Sequence, residues 1–471
     1  MSRRRSALAD VLAAGLVGVA IFAFFGRSFL NYDTFYALLW GGDIAHGRTP
    51  DYRVPVAPTP HPLALLAGIP ASLFGSGGEA VMLVLVIAAL GALVVGVFRL
   101  GEALFAWPVG LLAALIVATR VPFLNYGIRG YVDLVEIAFV LWAAVLEARS
   151  KRRGRPVLVL LLLAGLLRPE AWLYAAAYWL WLFPSRDWPA RVGLAVLVLA
   201  APLAWGLSDL AFAGDFLWSL HGTHDLASEL GRQTGLLNAV KTAPRRLGEI
   251  VRLPELLAAV VGLVFGLAWM RERVVLPLAI ALLNALAFAL FAVAGLSLLG
   301  RYLFLAGVML ALFAALACLG WIGLAPGARG RSAWRGTGIA ALLAIAVVFP
   351  LQQVGRLTSL RTDIRARARV QSDLHALALP GCRPLFVPDH RLVPLLAYWH
   401  DLRPQHILVR SPDTGSGVLI VPASARVQRL SILDPHEPRP RRLSAPPGWR
   451  EAGANRSWHA YATPLCHYFE R

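Results

Sequence analysis

What this chain of 471 residues lacks narrows the field first. Only 15% of its residues are charged and its mean hydropathy is +0.62, so its apolar runs leave no polar face for water. That excludes an ordinary soluble protein. Lysine occurs only at Lys151 and Lys241, and the net charge of +18 is carried by arginine. In a soluble protein such an excess points to nucleic acid. Here the arginines gather in short loops, where retention in the cytoplasm and anionic lipid head groups explain them, and no nucleic-acid partner is expected. Three cysteines are too few for a disulfide framework or a zinc site. Cys318 lies in an apolar run, whereas Cys382 and Cys466 lie in the polar tail, either paired or as two buried thiols. A phosphate-binding glycine loop, a GxSxG elbow, an HExxH helix and an inverted repeat are all missing.

What is present reads as a polytopic α-helical membrane protein. A spanning helix needs about 20 mostly apolar residues. That length, combined with the arginine loops, predicts eleven spans with the N-terminus cytoplasmic: residues 7–25, 80–98, 103–119, 131–148, 157–167, 171–183, 192–207, 256–270, 274–299, 302–324 and 336–350. Arg3, Arg4 and Arg5 precede the first, and no small-residue cleavage site follows Phe25, so this segment is expected to stay as an anchor. Residues 61–74 are too short to cross and are broken by Pro70, so they read as a surface helix. A second surface helix is expected in the long outer loop 208–254. Making 61–74 a span would put the basic cluster 151–155 outside, against the positive-inside tendency. Residues 157–183 are read as two short crossings instead of one kinked helix, which keeps the later arginine loops cytoplasmic.

Composition changes after residue 350, which divides the chain into a transmembrane domain, 1–350, and a small α/β domain, 351–471. In the second, Leu385-Phe386-Val387, His406-Ile407-Leu408-Val409 and Val418-Leu419-Ile420-Val421 read as buried strands, with a helix from about Arg391 to Trp399. The proline- and arginine-rich stretch 435–442 reads as a loop. Seventeen arginines against nine carboxylates in this domain do not oppose an exported location, because long domains translocate largely regardless of charge.

Ionisable groups at or within membrane segments are costly, so each needs a partner or a function. Asp33 follows the first span and, read alone, caps a helix over residues 34–40. Asp133 and Glu136 lie three apart in the first turns of an apolar helix and share a face, which Arg129 joins if the helix starts early. Such carboxylates suit either an interfacial ion pair or a site for a phosphate or divalent cation, with Asp133 as a hard ligand. Arg168 and Glu170 flank Pro169 between two short apolar helices. They form either a structural ion pair or a device that aims a guanidinium at phosphate oxygens. His221, His224 and Asp225 have metal-like spacing without a further ligand nearby, and the simpler reading makes them surface residues.

Taken in order, these motifs resemble the C-type (GT-C) superfamily of integral-membrane glycosyltransferases, which includes protein O-mannosyltransferases and the aminoarabinose transferases that modify lipid A. The likeness rests on Asp33 early in the first outer loop, the turn Gly47-Arg48-Thr49-Pro50-Asp51-Tyr52, His61-Pro62-Leu63 leading an apolar helix, and Phe74-Gly75 at its end. Tyr131-Val132-Asp133 matches a second acidic position, and Leu166-Leu167-Arg168-Pro169-Glu170 resembles a motif of bacterial members. Thr34 stands where many members have a second acid, and one proline of a Pro-Pro pair is absent. The resemblance covers roughly the first 185 residues by motif and the rest by architecture.

It implies an inverting transfer of a sugar, hexosyl or mannosyl in type, from a polyprenyl-phosphate donor in a bacterial plasma membrane. The acceptor would be a glycan, lipid or protein on the outer side. Asp33 would be the general base. Arg129 and Arg168 would bind the donor phosphate, with Asp133, Glu136 and Glu170 as supporting acids and His61 as a loop candidate. A rival reading is a transporter or flippase using the buried charges as a substrate path; a third is a noncatalytic assembly subunit.

Overall fold

The computed structural model describes residues 2–412, 416–431, 443–464 and 466. The loop expected at 435–442 lies outside them. Among the described residues, six helices are long and apolar enough to cross a membrane, or up to eight if each of two bent pairs is one span. The protein is therefore an integral membrane protein, but the count of eleven is not reached. Several apolar segments stop short, including 155–165 and 170–182, where the connection at Arg168-Pro169 breaks the helix.

Helix α1 (Ser2–Phe25) is followed by α2 (Tyr32–Ala45). The cap of α2 is Asn31, whose side-chain oxygen accepts hydrogen bonds from the amides of Asp33 and Thr34. Asp33 is thus in the first turn instead of at the cap, and its carboxylate is available for other partners. Next comes α3 (Pro62–Ser72), which lies against α2 where Gly41 meets Gly68. A Cβ on Gly41 would lie 2.4 Å from the Gly68 carbonyl carbon, so only glycine permits this approach.

Helix α4 (Gly78–Leu104) returns along α1. Helices α5 (Trp107–Thr119) and α6 (Val121–Ile128) follow, bent by 62° at Arg120. They lead to α7 (Asp133–Arg149), α8 (Arg155–Gly165), α9 (Glu170–Leu182) and α10 (Trp188–Ala213). The expected long loop holds two helices, α11 (Trp218–Glu229) and α12 (Leu236–Val251). Helix α13 (Leu253–Trp269) turns from α12 by 102° at Arg252, which has φ +78°. Arg120 and Glu255 join the two bends by a buried ion pair of 2.5 Å.

Helix α14 (Arg271–Val293) precedes α15 (Phe304–Leu319), which is buried along nearly its whole length among α5, α13, α14 and α16 (Arg331–His375). The boundary drawn at residue 350 falls inside α16. That helix has 45 residues, about 68 Å at 1.5 Å per residue. Its first half is apolar and its second is rich in arginine; there Arg365 donates to the carbonyl of Phe25 at the end of α1.

The C-terminal sheet contains the three expected strands and two more. These are β1 (Leu385–Phe386), β2 (Ile407–Leu408), β3 (Val418–Pro422), β4 (Arg450–Ala454) and β5 (Trp458–Ala462), in the order β2-β1-β3-β5-β4. The pairs β1–β2 and β1–β3 are parallel; β3–β5 and β4–β5 are antiparallel. Helices α17 (Leu392–Trp399) and α18 (Ala425–Ser431) complete the domain. Cys382 and Cys466 are joined by a disulfide, which resolves the alternative left open by their spacing.

Candidate functional site

Five helices begin around one cleft. α2 carries Asp33 in its first turn, α3 has His61 at its N-cap, and α7 opens with Asp133. Arg168 and Glu170 stand at the start of α9, and a short turn, Gly300–Leu303, brings Arg301 and Tyr302 in just before α15. Unpaired amides at helix starts give such a convergence a positive field suited to anions.

The charged side chains form one connected set. Arg301 lies 3.3 Å from Asp33 and 3.6 Å from Asp133, while Arg168 lies 3.5 Å from Asp133 and 3.0 Å from Glu170. Asp133, Arg168 and Glu170 are all buried, whereas Asp33 keeps 14% of its side chain exposed and lines the cleft. Arg168 also sits over the ring of Tyr302 at 4.5 Å, and Arg301 over Tyr131 at 5.4 Å. Aromatic faces of this kind hold guanidinium planes in place.

Beside this polar cleft lies an apolar cavity of about 600 Å³, walled by residues such as Leu173, Ala176, Trp205, Leu290 and Phe291. Cleft and cavity share Thr59, His61, Arg168, Thr223 and Tyr302. The His61 imidazole is pushed down to about 4 by burial, reinforced by the nearby Arg168 charge, so it is neutral at pH 7. The turn around Gly47, with φ +68°, is held to α10 and α11 through Tyr52. The Tyr52 hydroxyl meets Ser208 at 3.1 Å, and the Tyr52 carbonyl accepts from Trp218.

Of the residues singled out from sequence, Asp33, His61, Asp133, Arg168 and Glu170 come together here. Glu136 lies buried next to them, with one carboxylate oxygen lacking a hydrogen-bond partner. Arg129 does not line the cleft. It ends α6, and its guanidinium donates to Tyr131 at 3.1 Å and to Asn125 at 3.4 Å, one layer behind the site. The expected shared face with Asp133 fails because α7 starts only at Asp133.

The other candidates lie elsewhere. His221 pairs with exposed Asp215, His224 contacts the carbonyl of Ala294, and Asp225 lines a small surface pocket that meets the edge of the cleft at Thr59 and Thr223. Among the described residues no group of three or more His, Cys, Asp or Glu is placed to hold a metal. Asp133 faces two guanidiniums, a donor set unsuited to a hard cation.

Sequence reading missed Arg301, which it treated as the edge of a span. The available signal was a lone arginine interrupting two long apolar runs, where burial is costly without partners. It also missed Tyr126, Tyr131, Tyr302, Arg232, His390 and Arg391, which all line the cleft.

Neither a protein-family model nor a curated protein matches this sequence. Solved structures do. ArnT from Cupriavidus metallidurans in its apo state superposes with a TM-score of 0.53 at 13% identity, over 98% of each chain. The same protein bound to undecaprenyl phosphate gives 0.51 at 11% identity, over 97% of this chain and 98% of that one. An oligosaccharyltransferase from Archaeoglobus fulgidus gives 0.46 at 13% identity, over 86% of this chain and 62% of its own. What this chain shares with ArnT is its architecture, over nearly the full length of both chains.

Proposed function

We propose that this chain is an inverting membrane glycosyltransferase that takes a sugar from a polyprenyl-phosphate carrier and passes it to an extracytoplasmic glycan, lipid or protein acceptor. The observation that carries this reading is the junction of an arginine-floored polar cleft with an apolar cavity through Arg168 and Tyr302. An amphiphile with a phosphate head and a hydrocarbon tail needs both surfaces side by side. ArnT, which has the same fold, has been solved with undecaprenyl phosphate bound, and this supports the same donor class here.

In the mechanism, Asp33 accepts the proton of the acceptor hydroxyl as that oxygen attacks the anomeric carbon. The bond from that carbon to the phosphate oxygen breaks, and negative charge grows on the phosphate. Arg168 and Arg301 stabilise it by charge-assisted hydrogen bonds, with Arg301 taking the place assigned from sequence to Arg129. Asp133, buried between the two arginines, orients them. On this reading residues 1–350 supply the charged machinery, residues 351–471 carry the sheet domain that adds His390 and Arg391 to the cleft, and the cleft opens to the outer side of a bacterial plasma membrane.

The test uses purified chain in nanodiscs with radiolabelled undecaprenyl-phosphate hexoses. Wild type is expected to transfer the label, and Asp33→Asn to do so at least about 100-fold more slowly while still binding undecaprenyl phosphate. Undiminished transfer by Asp33→Asn removes the base assignment. A wild type that transfers nothing but moves the labelled lipid across vesicles is a flippase.

A further inference from the structure

All but two of the residues that line the cleft belong to the membrane helices and their loops; the exceptions, His390 and Arg391, come from the C-terminal sheet domain. They stand on a braced turn. Buried Asp389 accepts from the Arg391 amide at 2.9 Å and from its guanidinium at 2.7 Å, and the Asp389 carbonyl accepts from Leu392 at the start of α17. Helix α17 in turn packs on α2, with Leu392, Val393 and Leu396 in one apolar cluster with Phe35 and Leu38. The first turn of α2 carries Asp33, so the sheet domain and Asp33 are held in fixed relation.

The His390 ring stands edge-on to Tyr32, the neighbour of Asp33, with centroids 5.3 Å apart. Its side chain is 15% exposed. Charges facing it come from Asp389 and Arg391 on its own turn, Arg232 after α11, and Asp33 on α2. Burial outweighs the carboxylates and pushes the imidazole down to about 4, so at pH 7 it has one donor and one acceptor nitrogen. Nδ1 lies 3.5 Å from the Asp389 carboxylate, which leaves Nε2 as the nitrogen able to accept from a hydroxyl.

The position also favours one substrate over the other. Arg168 and Tyr302 border the apolar cavity, where a lipid tail belongs, whereas His390 enters from the sheet domain and does not line that cavity. We infer, on the reading proposed above, that His390 is the acceptor-side contact of the cleft, hydrogen-bonding a hydroxylated acceptor such as a glycan so that its attacking oxygen faces Asp33. The sheet domain is then a part of the acceptor subsite.

The experiment compares His390→Phe, which fills the space against Tyr32 without a ring nitrogen, with His390→Gln, which keeps hydrogen-bonding atoms. Full-length protein in nanodiscs is given radiolabelled undecaprenyl-phosphate hexose as donor and a native envelope extract as acceptor. Transfer to extract, release of sugar to water and binding of undecaprenyl phosphate are read separately. His390→Phe is expected to raise the extract concentration for half-maximal transfer about tenfold, as loss of one hydrogen bond to substrate would. Release to water and lipid binding should stay within about twofold, and His390→Gln should recover much of the transfer. Equal transfer by His390→Phe and wild type overturns the inference alone. So does a parallel loss of lipid binding, or a wild type that only hydrolyses donor. A wild type that neither binds undecaprenyl phosphate nor releases its sugar overturns the glycosyltransferase reading as well.

Discussion

On the floor of the cleft Arg168 meets Glu170 at 3.0 Å; at the start of α11 His221 meets Asp215 at 2.6 Å. The shorter contact is the less consequential one. Asp215 and His221 are exposed, and water screens their attraction and solvates either partner when the other is removed. Arg168, Glu170 and Asp133 are buried, so each charge depends on the others and on whatever enters the cleft. Burial, and not distance, separates a site from a surface pair. It also separates the two histidine groups considered from sequence, since His61 is buried between cleft and cavity while His221 and His224 stay at the surface.

The contrast can be tested from its strongest side downward. Arg168→Ala removes the common partner of two buried carboxylates and is expected to cost about 3–5 kcal/mol of stability. Thermal unfolding in detergent and the yield of monodisperse protein check it, and a variant as stable as wild type would mean that water reaches this floor. Arg301→Gln keeps hydrogen-bond capacity but loses the charge shared between Asp33 and Asp133. Affinity for undecaprenyl phosphate should fall about tenfold or more, measured by titration in nanodiscs, in keeping with about 1.5–3 kcal/mol for a hydrogen bond to a charged group.

A smaller effect comes with pH. His61 and His390 are both held at about 4, below the ordinary 6.5 for histidine. Between those values the unfolded chain binds protons that the folded chain does not, so stability is full above pH 6.5 and declines as pH falls toward 4. The unfolding midpoint should drop by a few degrees from pH 7 to pH 5, and His61→Gln combined with His390→Gln should flatten that slope. An unchanged slope would point to other groups. The smallest effect is expected at the surface: His221→Gln should leave both transfer and the midpoint close to wild type. A large loss there would mean that the exposed end of α11, and not only Thr223 on its cleft face, takes part in the site.

Much of the site was legible before the fold was known. Asp33, His61, Asp133, Arg168 and Glu170 stand out because each interrupts or borders an apolar run, where a polar group has to have a reason. The helical membrane class and the first three strands follow from the same contrast. Arg129 misled because its spacing from Asp133 suggests a shared face, which a helix starting four residues later does not provide. Eleven spans were expected and six to eight of the described helices have the length and composition of one, because several apolar segments, such as 155–165, end early.

By itself, then, the sequence determined that the chain enters a membrane, where its costly charges lie along it, and that a small sheet domain follows. These are local properties, set by the hydrophobicity and period of neighbouring residues. Only the tertiary structure decided which charges meet. Arg301 reaches Asp33 across 268 positions, and His390 reaches Tyr32 from a separate domain. Such pairings depend on how helices of similar apolar composition pack, and on glycine contacts such as Gly41 against Gly68, which no local period encodes.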